Sequence, residues 1–203
     1  MPRPAMSSDQ FAETQARIVS EAGRIVQSEG YAALSMRQLA AGLGMTAGAL
    51  YRYFPTKQHV LMAYCGAALD ELTEALRRIE TEEPQPLRAL ERMMVAYGAF
   101  ALSDTDRFRV VFLDPDVGKI ELTDATTLDS YRVLQGAVLR AQEAGLLRPV
   151  PAEDAARILA GCVHGLVVMA ITIREIDFGD IEPLVATAAR TTLRGLARET
   201  VEI

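Results

Sequence analysis

The sequence predicts an all-α fold of about nine helices, and three observations support this class. Apolar residues recur at intervals of three and four along most of the chain, which is the period of an amphipathic helix. Helix-starting residues precede several of these segments and glycine follows several of them. No segment alternates apolar and polar residues convincingly, as a half-buried strand would. We therefore expect helices joined by short connections, with no internal repeat.

The first predicted helix runs from Asp9 to Glu29, where apolar residues recur at helical spacing. Gly30 is expected to end it because glycine adopts a positive φ without steric cost. Residues 1–8 are expected to form a mobile tail. The role of this helix would be to cover the apolar faces of the two helices that follow.

The stretch from Ser35 to Lys57 predicts two short helices with a tight turn between them. Ser35 is a good N-cap for the first of these helices, and Gly44 can end it. Thr46 can cap the second, which is expected to continue to Tyr53 before a Phe-Pro pair stops it. Two short helices joined by a glycine turn match a helix-turn-helix, whose second helix enters the major groove of DNA.

Some residues of this stretch are expected to be core and others to face solvent or DNA. The predicted core residues are Leu39, Leu43, Leu50 and Phe54. Small side chains at the start of the second helix would let its backbone approach base edges. Gly48 lies among them although glycine costs about 1 kcal/mol inside a helix, so close approach to the groove is one explanation for it.

Six further helices are predicted after this stretch. They cover residues 57–79, 87–101, 105–112, 123–144, 151–173 and 181–198. The acidic, proline-containing segment 80–86 between the first two is expected to be a linker. Pro151 and the two acidic residues after it favour a helix start, and Gly145 favours a helix end.

Charge is divided unevenly along the chain, which carries a net charge of −6. Residues 1–57 hold six basic and four acidic residues, and the remainder holds fifteen basic and twenty-three acidic ones. The N-terminal part is therefore the part that can approach phosphate, while the rest repels it. We expect a DNA-binding domain over residues 1–57 and a second helical domain over residues 58–203.

The run EAGRIVQSEGYAALSMRQLAAGLGMTAGALYRYFPTKQHVL resembles the N-terminal DNA-binding domain of the TetR/AcrR family of bacterial transcriptional regulators. The resemblance combines the glycine after the first helix, Arg-x-Leu-Ala, Gly44, Leu-Tyr-x-Tyr-Phe and Lys57. It covers about Ala12 to Leu61. A lone helix-turn-helix would be a weaker signal.

The resemblance implies a role for each matching residue. Arg37 would reach a base or a phosphate, and Thr46 and Ala47 would face base edges. Tyr51, Tyr53 and Lys57 would contact the DNA backbone, although Tyr51 is also compatible with the core. Arg52 is either a DNA contact or a solvated charge. Arginine can bind guanine through two hydrogen bonds, whereas lysine and tyrosine mainly fix the register on phosphates.

The resemblance also implies a homodimer, an operator and an effector. The last two helices would pair with their copies across a two-fold axis, and the dimer would bind a palindromic operator in double-stranded DNA. The effector would be a mostly apolar small molecule in a pocket of the C-terminal domain, and repression is the family's commoner mode. The residues expected to line the pocket are Met93, Tyr97, Phe100, Phe108, Phe112, Tyr131 and His164.

His164 belongs to a segment, Cys162-Val163-His164-Gly165, that resembles the Trp-His-Gly signature of one group of these C-terminal domains, with valine where the tryptophan would stand. A histidine on an otherwise apolar helix is also compatible with a purely structural, hydrogen-bonded role. The spacing of the aromatic and methionine residues does not separate a pocket from a packed core.

Other classes of protein are disfavoured by the composition. Two histidines, no glycine-rich phosphate loop and no serine elbow argue against an enzyme. Cys65 and Cys162 are expected to be buried thiols, and no metal site or cofactor is expected. No secretory signal is evident and the longest apolar run is shorter than a membrane span, so we expect a cytoplasmic protein. The alternative function is a helical small-molecule-binding or interaction protein that regulates no operator.

Overall fold

The computed structural model describes residues 7–113 and 128–198. Within these ranges the chain forms nine α-helices, which confirms the all-α prediction. They are α1 (Ser8–Glu29), α2 (Met36–Gly42), α3 (Ala47–Leu50), α4 (Lys57–Glu82), α5 (Pro86–Ser103), α6 (Thr105–Leu113), α7 (Asp129–Glu143), α8 (Ala152–Thr172) and α9 (Ile181–Leu196). The predicted helix residues 123–127 and the break predicted at residues 114–116 lie outside the described residues.

The chain divides into two compact units. Among the described residues, the first unit contains residues 7–68 and 106–113, and the second contains residues 69–105 and 128–198. Helix α4 therefore contributes to both units. The domain boundary between residues 57 and 58 stays a prediction.

The first unit has one apolar core, built from α1 to α4 with Val110 of α6. Ile18 and Ile25 of α1, Leu39 of α2 and Leu50 of α3 are all fully buried. Three of the four residues predicted to be core in the helix-turn-helix are buried, and the fourth, Leu43, packs against the core from a half-buried position. The periodicity of α1 therefore identified the face that supports α2 and α3.

The second unit is a bundle in which α5 packs against α7, α8 and α9, and α8 packs against α7 and α9. The approach of α5 to α9 depends on Gly98. A Cβ atom at this position would lie 2.7 Å from Cγ1 of Val185, which is closer than packed carbon atoms can come. Packing thus favours glycine here, since a side chain would force Val185 or helix α9 to shift.

Backbone hydrogen bonds tie the connection between α7 and α8 to the end of α9. Leu147 and Ala197 form an isolated antiparallel bridge. The amide of Arg148 donates to the carbonyl of Leu196 at 2.8 Å, and the amide of Arg198 donates to the carbonyl of Leu146 at 3.0 Å. This connection is therefore fixed by partners about fifty residues away in the chain.

Several helix boundaries differ from the prediction. Helix α1 starts at Ser8 because the Ser7 side chain accepts from the Gln10 amide and the Gln10 side chain accepts from the Ser7 amide, a complete capping box. The predicted tail over residues 1–8 is therefore wrong at its last two positions. Helix α4 continues to Glu82, so the predicted linker 80–86 is wrong for its first three residues, while Pro86 starts α5 at N1.

Cys162 corrects a further prediction, since it is exposed on α8 whereas Cys65 is buried. Ile158 and Met169 on the same helix are also exposed, at 47% and 43%.

Helix α8 is long and apolar enough to cross a membrane by length and composition alone, and 28% of its most apolar window is buried within the chain. The sequence expectation rested on the apolar run 162–173, which His164 interrupts, and did not consider the helix as a whole.

Candidate DNA-binding and effector sites

The helix-turn-helix is held by two side-chain caps and a glycine turn. Ser35 Oγ accepts from the Gln38 amide at 3.2 Å, and Thr46 Oγ1 accepts from the Ala49 amide at 3.2 Å. Between the helices Gly44 has a φ of +64°, a conformation that other residues rarely adopt. All three local predictions are confirmed.

The α-helical part of the second helix is shorter than predicted. It ends at Leu50, and the residues from Tyr51 to Tyr53 form turns in which the amide of Arg52 bonds to the carbonyl of Ala49. This bond reaches three residues back instead of four. Pro55 disfavours the α conformation at Phe54, so the α-helix cannot resume after these turns.

The eight residues expected to contact DNA all lie in the first unit, on α2, on α3 and its turns, and at the start of α4. Six are exposed, and the other two, Tyr53 and Lys57, are half-buried. The exposed six are Arg37, Thr46, Ala47, Gly48, Tyr51 and Arg52. Because Leu50 is fully buried, it anchors α3, while Thr46, Ala47 and Gly48 are exposed. Tyr51, at 50% exposure, lies outside the core.

Tyr53 is braced by α1, a contact that the sequence did not predict. Its ring stacks on Phe11, with centroids 4.8 Å apart and an interplanar angle of 29°. The Gln15 side chain donates to the Tyr53 carbonyl at 3.4 Å. Helix α1 therefore positions the turn after α3, and no local pattern around Phe11 or Gln15 signals these partners.

Lys57 is the first residue of α4. The preceding residue, Thr56, caps this helix by accepting from the His59 amide at 3.4 Å, and its hydroxyl also lies 2.8 Å from His59 Nδ1. A helix N-terminus favours anions because its first amides point outward and its dipole is positive there. A lysine at this position adds a formal charge to a site already suited to phosphate.

Replacing Gly48 with alanine is expected to raise stability by up to about 1 kcal/mol, because alanine has the higher helix propensity. An added Cβ meets nothing within 4 Å, so folding does not require this glycine. If the glycine serves close approach to the groove, the same variant binds DNA more weakly. Thermal unfolding and operator titration of Gly48→Ala measure the two effects.

The matched control for Gly48 is Gly66, where an added Cβ also meets nothing within 4 Å on the interior of helix α4. Gly66→Ala is expected to give a similar gain in stability with unchanged DNA affinity. A Gly48→Ala variant that gains stability and keeps full DNA affinity would contradict the explanation by groove approach.

The residues expected to line an effector pocket divide between the two units. Met93, Tyr97 and Phe100 lie on α5, Tyr131 on α7 and His164 on α8, three helices that pack against one another. Phe108 and Phe112 lie on α6, in the first unit, where their rings are 4.8 Å apart. No pattern in the sequence signals that α6 belongs to the unit containing the helix-turn-helix.

Tyr97 and His164 form the polar contact of this helix cluster. The Tyr97 hydroxyl lies 2.6 Å from Nδ1 of His164. Burial raises the pKa of Tyr97 and lowers the pKa of His164, because desolvation disfavours the charged form of each group. Both side chains are therefore neutral at pH 7. The hydrogen bond fits the structural role considered for His164 as well as a ligand-contacting one.

Metal binding finds no support in the parts of the chain that the structure describes. Neither residues 7–113 nor residues 128–198 bring together three or more histidine, cysteine, aspartate or glutamate side chains in a way that could hold a metal ion.

Known proteins similar to this chain include regulators. The HTH-type transcriptional repressor KstR of Mycolicibacterium smegmatis is 29% identical over 89 residues, which is 44% of this chain and 44% of that protein. The chain thus aligns with less than half the length of this curated relative.

Two solved structures share the fold over nearly the whole chain. A protein with unknown function from Rhodococcus sp. RHA1 has a TM-score of 0.79 and 25% identity, covering 98% of this chain and all of its own. The TetR family transcriptional regulator PfmR from Thermus thermophilus has a TM-score of 0.64 and 25% identity, covering 96% of this chain and all of its own.

Two family models match successive parts of the chain. The model of bacterial regulatory proteins of the tetR family matches residues 18–64, from α1 into α4. The model of the tetracyclin repressor-like C-terminal domain matches residues 90–192, from α5 into α9. The second match alone covers half of the sequence, and both name the same family, so the chain belongs to the TetR family of bacterial regulatory proteins.

Proposed function

We propose that this protein is a cytoplasmic transcriptional repressor that binds a palindromic operator as a homodimer and is released by a small, mostly apolar effector. The observation that carries the DNA-binding part is α3, whose small N-terminal residues are exposed while Leu50 is fully buried. This arrangement suits a helix that enters the major groove. Arg37, Thr46 and Ala47 would read bases, and Tyr53 and Lys57 would fix the register. The KstR relative is itself a repressor, which supports repression as the mode of regulation.

Family membership also bears on the question of catalysis. TetR proteins are transcriptional regulators and not enzymes, so the prediction that this chain is not an enzyme is confirmed by the family to which it belongs. The DNA experiments below distinguish the proposed repressor from the alternative, a helical binding protein without an operator.

The homodimer would form through the outer faces of α8 and α9. On α8 the exposed or half-buried residues Ile158, Cys162, Gly165 and Met169 repeat at intervals of four, three and four. Leu184 on α9 is also exposed, at 37%. Such a seam matches a helix-helix interface, and the glycine permits close approach. We propose that a second copy of the chain packs on this seam, because one α3 provides few base contacts and a two-fold dimer doubles them.

Selection of bound fragments from a random DNA pool tests the proposal most directly. We expect a palindrome whose half-sites are separated by about 34–36 Å or a multiple of that distance, as two-fold helix-turn-helix dimers require. Selection of no sequence above background would contradict operator binding, and a single asymmetric half-site would contradict the two-fold arrangement.

Replacing Lys57 with glutamine is expected to lower the dependence of operator affinity on salt. Each phosphate contact contributes about one to the slope of log affinity against log salt concentration, so we expect a loss of about one for each half-site. Affinities measured by fluorescence anisotropy at several salt concentrations give this slope. Arg88→Gln, at an exposed position of α5 in the second unit, is the control and should leave it unchanged. Equal slopes for the wild type and both variants would show that Lys57 does not contact a phosphate.

A further inference from the structure

Tyr131 carries a polar group that the described part of the chain leaves without a hydrogen-bond partner. Its hydroxyl oxygen is shielded from solvent and has no hydrogen-bond partner among residues 7–113 and 128–198. Such groups are rare because leaving a buried hydroxyl unpaired costs free energy, and each one calls for an explanation. A ligand that supplies the missing partner is one.

The position of Tyr131 along α7 puts it at about the same height as His164 on α8. Helices α7 and α8 pack against each other. The connection between them is short, which favours an antiparallel arrangement. Tyr131 lies twelve residues before the end of α7, and His164 lies twelve residues after the start of α8. With a rise of about 1.5 Å per residue, both lie roughly 18 Å from the connection. Helix α5 packs against both helices and brings Tyr97 to His164.

The charges around this cluster favour a neutral ligand. Tyr97 and His164 are neutral, as described above. The arginines of α7 and α8 already form ion pairs, Arg132 with Asp129, Arg140 with Glu80, and Arg157 with Glu153 and Asp154. A carboxylate ligand would therefore have to compete with these acidic side chains for a cation.

Helix α5, which packs against both α7 and α8, also carries apolar side chains. Met93 of α5 is fully buried, and the half-buried Phe100 lies two turns further along the same helix. A ligand between these helices would gain most of its affinity from apolar contact and its orientation from a few polar groups.

The geometry points to Tyr131 as the residue whose hydroxyl hydrogen-bonds the effector, and to an effector that is neutral and mostly apolar with an oxygen function such as a hydroxyl or carbonyl. This inference rests on the proposed function, since it places the effector in the second unit. It goes further by naming the ligand class and the residue that selects it. The Tyr97–His164 pair would form the adjacent polar surface.

Three probes of the same ring shape test the inference: naphthalene, 2-naphthol and 2-naphthoate. Equilibrium dialysis at pH 7 with the full chain measures the affinity for each. We expect 2-naphthol to bind about three to ten times more tightly than naphthalene, as one hydrogen bond warrants, and more tightly than 2-naphthoate. In Tyr131→Phe this preference for 2-naphthol over naphthalene should disappear while naphthalene affinity stays the same. Leu139→Ala, at an exposed position of α7, should keep the preference.

The outcomes separate this inference from the proposed function. A preference for 2-naphthol that persists in Tyr131→Phe, equal or tighter binding of 2-naphthoate, or binding of none of the three probes would overturn the inference. None of these results alters operator binding, which is measured with DNA alone. A failure to select an operator would overturn the proposed function, while dialysis would still report the ligand preference.

Discussion

Introducing lysine at both Ile158 and Met169 is expected to convert the protein from a dimer to a monomer and to lower operator affinity by a factor on the order of one hundred or more. Two-fold symmetry places each substitution on both sides of the interface, so four positive charges would face one another after losing water. Both positions are more than 40% exposed within one chain, so the fold of each chain should be retained. Light scattering at micromolar concentration gives the oligomeric state, and operator titration gives the affinity.

The control for this pair is Leu139→Lys, which adds the same charge at a residue of α7 that is 49% exposed. It should leave both the dimer and the operator affinity unchanged. If the double variant stays dimeric and binds its operator normally, the outer face of α8 is not the interface. A wild-type protein that is monomeric at micromolar concentration would contradict the dimer itself.

Replacing Leu50 with alanine is expected to destabilise the first unit by about 2–5 kcal/mol, because a fully buried leucine is replaced by a cavity. Leu50 is the buried residue of α3, so this helix would lose its anchor. Against a typical total stability of about 5–15 kcal/mol, the loss is severe. We expect the unfolding temperature of this unit to fall by at least about 10 °C and operator affinity to fall with it. Calorimetry and operator titration measure these changes.

Tyr51→Ala separates loss of folding from loss of contact. Tyr51 follows Leu50 directly but is 50% exposed, so its truncation should change stability by no more than about 0.5 kcal/mol. If its hydroxyl contacts phosphate, DNA affinity falls without a change in unfolding temperature. Equal losses of stability in Leu50→Ala and Tyr51→Ala would show that α3 is not anchored as described.

The parts of the fold that the sequence predicted correctly are those with local causes. Ser35 and Thr46 accept hydrogen bonds from amides three residues ahead, and Gly30 and Gly44 adopt positive φ where their helices end. A cap depends on its immediate neighbours, so its residue type reveals it. The apolar face of α1 was predictable for the same reason, because its period is a property of one segment.

The features that the sequence did not reveal depend on distant residues. The stacking of Phe11 on Tyr53 joins positions 42 apart, and the Gly98–Val185 contact joins positions 87 apart. The exposure of Cys162 was mispredicted because an apolar helix can bury either of two faces. Helix α8 leaves the face that carries Cys162 exposed in the single chain. The assignment of α6 to the first unit likewise depends on packing, and no residue in the helix signals it.

The antiparallel bridge between Leu147 and Ala197 has a consequence for how the second unit opens. Four bonds hold these segments: the two backbone bonds of Arg148 and Arg198, and their guanidinium Nε groups, which donate to the carbonyls of Ala197 and Leu147 at 3.0 and 3.1 Å. Together they close a loop that contains both α8 and α9. Amide hydrogens at the bridge can exchange with solvent only when this closure breaks, so they should exchange as slowly as those of the flanking helices. Helices α8 and α9 would then open as one cooperative unit, so destabilising either helix would lower the stability of both.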